Sequence, residues 1–358
     1  MTFVSTLGQA LDQVERLKTM QSQLGNLQVQ LTTGKKTDLF KGLGTDVITS
    51  KRARANFNAL DNYLNNITVA NRRIQMTTNV IEEIKTQAEG LLGSLELQTQ
   101  QGEYEIEVLG DYAENLEGFI YNLLNEKDGD RYLLGGANTL TKPVTNTGGL
   151  DTYTTKQITD WVNGTITTDQ FMQSYKDSTQ LTDTVIGYSA ELSSGMSKNV
   201  TVRVDDNAEI DYTVKANEEP FRNLLIAISM MKNIDKVIDE VTLDADDNAG
   251  TTVTAPGATK EEQNDNFYRV FNDIAVMMNK ALDQIDTERF KLAQAQTQIT
   301  QIGDNHKIEK NTLLSTIAGV ENVDINEVAL KLNTLTTQLE ASYRVTATVS
   351  SLNLTKFL

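Results

Sequence analysis

Apolar residues return along both ends of the chain at alternating steps of three and four. Between Ser5 and Thr32 the series Leu17, Met20, Leu24, Leu27 and Leu31 follows the period of a coiled-coil seam, with Gln and Lys on the other faces. The run "TTGKK" stops it, with Gly34 where a helix C-cap belongs. A second helical pattern runs from about Asp46 to Gln100 through Leu60, Leu64, Ile67, Ile74, Ile81, Ile84, Leu91 and Leu95, longer than globular helices usually are. A third covers Glu103 to Asn125. Helical periodicity returns over Glu218 to Glu240, Asn264 to Ala318 and Asn326 to Phe357. In the last segment Ile325, Val328, Leu332, Leu335 and Leu339 again step by three and four, and apolar residues continue through Val349, Leu352, Leu354 and Phe357 to Leu358.

The middle reads differently. "DGDRYLLGGANTLTKP" interrupts the helices with glycines and the first proline, and from Leu140 to Ala216 the chain is rich in Thr, Asp, Asn and Gly. Within it "NVTVRVDDNAEIDYTVKA" alternates apolar and polar residues around an Asp-Asp-Asn turn, which predicts a β-hairpin. The longest apolar run, Leu224 to Met231, fits a buried helix or strand and is far short of a membrane span.

The fold class predicted is therefore mainly α with a β-containing central insert, the two chain ends pairing as an antiparallel coiled coil. Two helices of about 30 residues, each about 45 Å long, form too slender a pair to hide stripes this wide. The stripes are expected to serve self-assembly, with Leu17, Met20, Leu24, Leu27, Leu31, Val328, Leu332, Leu335, Leu339, Val349, Leu352, Leu354, Phe357 and Leu358 as the interface. The insert supplies none of this seam, so its removal is expected to leave assembly intact.

Composition narrows the partners. With 49 acidic against 32 basic residues the formal net charge is −17, which disfavours nucleic acid and anionic lipid. The absence of cysteine excludes disulfides, thiolate chemistry and zinc fingers, and three prolines permit long helices. The opening "MTFVSTLGQALDQVERLKTMQ" has no basic start, apolar core or small-residue cleavage site, so no cleaved secretory signal and no membrane insertion are expected.

Candidate chemistry is poor. His306 is the only histidine, in the polar stretch "GDNHKIEKN", and reads as a surface or packing residue. Glu82, Glu83, Glu103, Glu105, Glu107, Glu114 and Glu117 could include an acid/base pair, but runs of this kind on helices are usually solvated faces. "DADDNAG" offers Asp244, Asp246 and Asn248 like a calcium loop, yet Ala249 and Ala255 replace the required glycine and glutamate. "LLGGAN" lacks the residues of a phosphate loop. Lys51, Arg52, Arg54, Arg72 and Arg73 lie on the second helix, where acidic neighbours are the natural partners. No catalytic, cofactor-binding or metal residue is predicted, and the chain is not expected to be an enzyme. The enzyme alternative would need Asp205 and Asp206 to converge on a pocket in the insert.

Three stretches carry a family resemblance. "LQVQLTTGKK" resembles the amino-terminal signature of the bacterial flagellin superfamily, and "VDINEVALKLNTLTTQLEASYRVTATVSSLNLTKFL" resembles its carboxy-terminal helix. "DGDRYLLGGANTLTKPV" is similar to the aromatic-Leu-Phe-Gly-Gly stretch followed by proline in the superfamily's hook-filament junction members (hook-associated protein 3), with Leu134 in place of the phenylalanine. "TDLFKGLGTDVITS" departs from the family in lacking a proline after the Thr-Gly-Lys turn.

The resemblance implies an elongated molecule in three parts: a terminal coiled-coil inner-tube domain (1–45 with 316–358), a long-helix rod (46–140 with 217–315) and an outer α+β domain (141–216). It implies an extracellular flagellar subunit, exported without a cleaved signal, that joins hook to filament by polymerising through its terminal helices; a filament flagellin is the alternative. Implied partners are hook-associated protein 1 and flagellin, or further copies of the chain, and an export chaperone on the C-terminal helix. A second alternative has the insert adhering to a surface or glycan. No cofactor is implied.

Overall fold

The computed structural model describes residues 6–101, 105–145, 148–176, 179–235 and 256–354. The chain is mainly helical, with long helices and two small antiparallel sheets in its middle. It divides into two compact units: residues 1–62 with 304–358, and residues 63–303.

The first unit holds α1 (Thr6–Thr33), the start of α2 (Val47–Gln101), the end of α9 (Lys260–Glu321) and α10 (Ile325–Leu354). Helix α1 ends at Gly34, whose φ of 67° is the left-handed geometry that a C-cap glycine supplies without strain. A 3-10 segment, Phe40–Asp46, then leads into α2.

In the second unit, Ile67, Ile74, Ile81, Ala88 and Leu95 of α2 repeat every seventh position, with Ala70, Thr77, Ile84 and Leu91 between them, and all are buried. Helix α9 answers with Phe267, Phe271, Ile274, Met278, Ala281, Ile285, Leu292 and Ile299. One face of each helix is thus spent on a common core. Helix α3 (Ile106–Leu124) and helix α8 (Glu219–Asp235) complete the helical frame and pack on each other. Every residue from Leu224 to Ile234 is buried, which is why its sequence shows no polar stripe; the run is a helix and not a strand.

The middle of the chain holds more helix than its composition suggests. Strands β1 (Lys127–Asp128) and β2 (Arg131–Tyr132) form a tight hairpin around Gly129, φ 62°. Helices α4 (Gly148–Val162), α5 (Thr168–Ser174), α6 (Asp183–Ile186) and α7 (Ala190–Ser193) follow. Thr167, Thr182 and Ser189 cap the last three, Thr167 in a reciprocal capping box with Gln170. Trp161 stacks on Phe171 with centroids 5.1 Å apart and donates its ring N–H to Thr168 Oγ1 at 3.1 Å.

The β-hairpin forms where alternation predicts it: β3 (Thr201–Asp205) pairs antiparallel with β4 (Ala208–Asp211) in the register Val202–Ile210, with Val202 and Val204 turned inward. Tyr63 Oη donates to Asp206 at 2.6 Å and ties the turn to α2. The same hydrophobic core includes Leu150, Trp161, Phe171 and Val204 alongside residues of α2, α3, α8 and α9. Deleting this segment would therefore strip buried side chains of the core of their neighbours.

Candidate assembly surface

Helices α1 and α10 run antiparallel. Gln21 Nε2 donates to Tyr343 Oη at 2.6 Å, and Lys35 and Asn322 form an antiparallel bridge at the other end. Val328, Leu335 and Leu339 are buried by this pairing, while Leu332, Leu17, Met20, Leu24 and Leu27 are half-buried and Leu31 is exposed. The seam positions of the sequence are therefore mostly turned toward the partner helix within the chain. After Leu339 the inward positions are Ser342 and Thr346, which bury little apolar area. The side chains of Val349, Leu352 and Leu354, and residues Phe357 and Leu358, lie outside the described residues.

A second set of apolar residues faces outward. Leu11 is 61% exposed and Leu330 68%, and Val14, Val29, Ile325, Tyr343 and Val345 are also exposed. Apart from Ile325 at the helix start, these fall between the seam positions. The readable signal was an apolar residue off the three-four register of a helix whose register is otherwise kept. A shallow groove of about 490 Å³ lies along the pair, lined by Leu27, Leu330 and Leu335 with Gln23, Asn26, Gln30, Lys331, Thr334 and Gln338. Such a surface can accept an apolar helix face rimmed by amide groups.

An ionic knot fixes the base of the pair. Glu321, at the end of α9, accepts from Arg54 Nε at 2.7 Å, Arg54 Nη2 at 2.6 Å, Ser50 Oγ at 2.6 Å and Lys35 Nζ at 3.2 Å. Its main chain is tied to the same turn: Lys36 N donates to Glu321 O at 2.7 Å, and Val323 N to Gly34 O at 3.0 Å. The Arg54 guanidinium, with Ser50 and Lys35 adding to it, outweighs burial and holds the Glu321 carboxyl down to about 2. Asp324 then opens α10 by accepting from Asn326 N at 2.8 Å.

His306 is buried within the first unit. Asp205 and Asp206 sit at the exposed hairpin turn, where Asp205 accepts from the Asp206 N–H. Among the basic residues Arg54 and Arg72 pair with Glu321 and Asp128, whereas Arg73 is buried and donates to the carbonyls of Tyr132 and Leu133. Glu82 pairs with Arg289, and Glu105, Glu107 and Glu114 are exposed, but Glu117 is buried against Lys232, which the solvated-face reading did not anticipate. Glu103 and the Asp244–Asn248 stretch lie outside the described residues. Among the described residues no three His, Cys, Asp or Glu side chains are grouped to hold a metal, and no helix is long and apolar enough to cross a membrane.

Comparison with known families gives two matches. Residues 4–139 match the bacterial flagellin N-terminal helical region, and residues 276–358 match the bacterial flagellin C-terminal helical region. No curated protein matches the chain. The two matched regions together span more than half of the sequence, contain α1, α2, α3 and α10 in full, and occur in the family's order. The family is structural and non-enzymatic, and its members polymerise with other flagellar subunits in the extracellular filament. The chain belongs to the bacterial flagellin superfamily.

Proposed function

We propose that this flagellar subunit is a hook-filament junction protein, hook-associated protein 3, which polymerises through α1 and α10 between hook-associated protein 1 and flagellin. The observation that carries the assembly surface is the outward set Leu11, Val14, Leu330 and Val345, left uncovered by a two-helix pair. The inward seam, Leu17 to Leu31 with Val328 to Leu339, orders the pair so that this set is presented. Val349 to Leu358 extend the interface.

The junction reading also draws on the "RYLLGGAN" stretch. Leu133 and Leu134 are buried, Ser197 Oγ donates to Gly135 O at 2.7 Å, Ala216 N donates to Leu134 O at 2.9 Å, and Gly136 takes φ 64° where a Cβ would meet Ser197 Oγ and the Lys198 carbonyl. The stretch thus forms a built connection between helices and insert. On this reading 1–45 with 316–358 form the inner-tube domain, 46–140 with 217–315 the rod and 141–216 the outer domain, exported by the flagellar apparatus with a chaperone on the C-terminal helix. Filament flagellin is the second reading, favoured by terminal matches that fit a filament subunit equally well. Electron microscopy of the purified protein decides between them: addition only onto hooks bearing the preceding junction ring supports the proposal, and long filaments formed by the protein alone overturn it.

A further inference from the structure

We propose that Lys232 and Asp151 become joined in the folded protein by an intramolecular isopeptide bond, formed autocatalytically with Glu117 carrying the proton. The three side chains come from three helices of one unit: Glu117 from α3, Asp151 from α4 and Lys232 from α8. Lys232 Nζ lies 2.7 Å from Asp151 Oδ2 and 2.5 Å from Glu117 Oε2. Lys232 and Glu117 are buried, while the Asp151 side chain is 26% exposed. Two carboxylates on one ammonium leave a net negative charge that is only partly screened by water, an arrangement often less stable than a neutral one of the same volume.

The other oxygen of Asp151 is held as a reaction would need it. Oδ1 accepts from Ser229 Oγ at 3.2 Å and from Asn233 Nδ2 at 3.1 Å, while Asn233 is itself anchored to Ser229 O at 2.8 Å. The oxygen facing the amine is thus free to leave, and the oxygen facing away has two donors placed where negative charge would develop. With Nζ in contact with Oδ2, the carboxyl carbon is at most one C–O bond farther, close to an attack distance.

The steps balance. Burial pulls the Lys232 amine down, but its hydrogen bonds to Asp151 and Glu117 outweigh this and hold it charged. A proton passes from Nζ to Asp151 Oδ2, giving amine and carboxylic acid. The Nζ lone pair attacks Cγ and the Cγ–Oδ1 π pair moves onto Oδ1. Glu117 takes a second proton from Nζ and returns it to the Oδ2 hydroxyl. The Cγ–Oδ2 bond breaks, water departs, and an Nζ–Cγ amide remains. Glu117 ends as it began, and no oxidant or cofactor is consumed. In a chain without cysteine this would be a covalent link that can form only after folding.

Intact-mass spectrometry of the full chain, with near-UV circular dichroism of buried Trp161 to verify the fold, tests the proposal. The expected mass is about 18 Da below that of the sequence, with a proteolytic fragment joining the residue 151 and residue 232 peptides. Asp151→Asn should lose about 17 Da instead, as ammonia leaves in place of water. Glu117→Gln should stay folded at full mass. Full mass in the folded wild type after prolonged incubation at pH 7 overturns the proposal, as does a loss mapped to any other pair of residues. Should Glu117→Gln fail to fold, the mass shift of Asp151→Asn and the joined fragment decide alone.

Discussion

Glu321 is the residue whose loss should loosen the α1–α10 pair most, and it can be removed with almost no change in shape. Glu321→Gln keeps an acceptor for Ser50 but removes the charge that faces Arg54 and Lys35. Moving the carboxyl from an ordinary 4.5 to about 2 corresponds to roughly 3 kcal/mol. Arg54 and Lys35 are 46% and 40% exposed, so screening by water brings the expected loss to roughly 2 kcal/mol. The group is depressed in the folded state, so its contribution is complete above pH 4.5 and fades as pH falls toward 2.

Hydrogen exchange of peptides covering residues 321–335, corrected for intrinsic rates, reads this directly. At pH 7 the variant should exchange about 30-fold faster than wild type, and at pH 3 the ratio should fall to about fourfold. Equal protection at pH 7, or a ratio that does not change with pH, would refute the argument that an ionised Glu321 clamps the base of the pair.

Leu335→Asp should abolish incorporation into flagella by breaking the pair itself, because it places a charge at a buried seam position; undiminished incorporation would contradict this. Leu330→Asp should leave the monomer's circular dichroism unchanged yet cut polymerisation at least tenfold, and normal polymerisation would remove Leu330 from the interface. Deleting residues 145–213 should cost the unit its cooperative unfolding transition, since Leu150, Trp161, Phe171 and Val204 belong to the shared core; an unchanged transition in thermal unfolding would disprove it. Burial and the neighbouring Glu288 push the Glu218 carboxyl up to about 7, so the penalty of ionising it is present above pH 7 and relieved as pH falls. Glu218→Gln should therefore stabilise the protein at pH 8 by roughly 1–2 kcal/mol and leave it essentially unchanged near pH 4, as checked by urea unfolding.

The helices were legible because each buries one face and solvates the other. The seven-residue spacing of Ile67, Ile74 and Ile81 could hardly be read otherwise, and the Val202–Ile210 register follows from simple alternation. The short helices α4 to α7 were not legible, because each buries only a few side chains, such as Trp161, Phe171, Ile186 and Leu192, and the starts of the last three rest on Thr and Ser caps, in a composition otherwise typical of loops. Glu117 was misread for a related reason. It lies in a run of acidic residues, and only the tertiary placement of Lys232 distinguishes it from Glu114 on the solvated face.

The same limit applies to the assembly surface. Periodicity finds the positions that face the nearest helix, and in a chain that folds back on itself the nearest helix is its own. Leu335 and Leu339 are spent on that pairing, as is half of Leu24. On the assembly reading proposed above, the residues that would meet a neighbouring molecule lie elsewhere on the helix, where a sequence pattern reads them as noise: Leu11, Val14, Leu330 and Val345. A pair with Ser342 and Thr346 on its inner face gains little from closing on itself beyond Leu339, so on the proposed assembly reading neighbouring subunits would supply what the inner seam lacks, and pairing within a subunit and packing between subunits would become a single cooperative step.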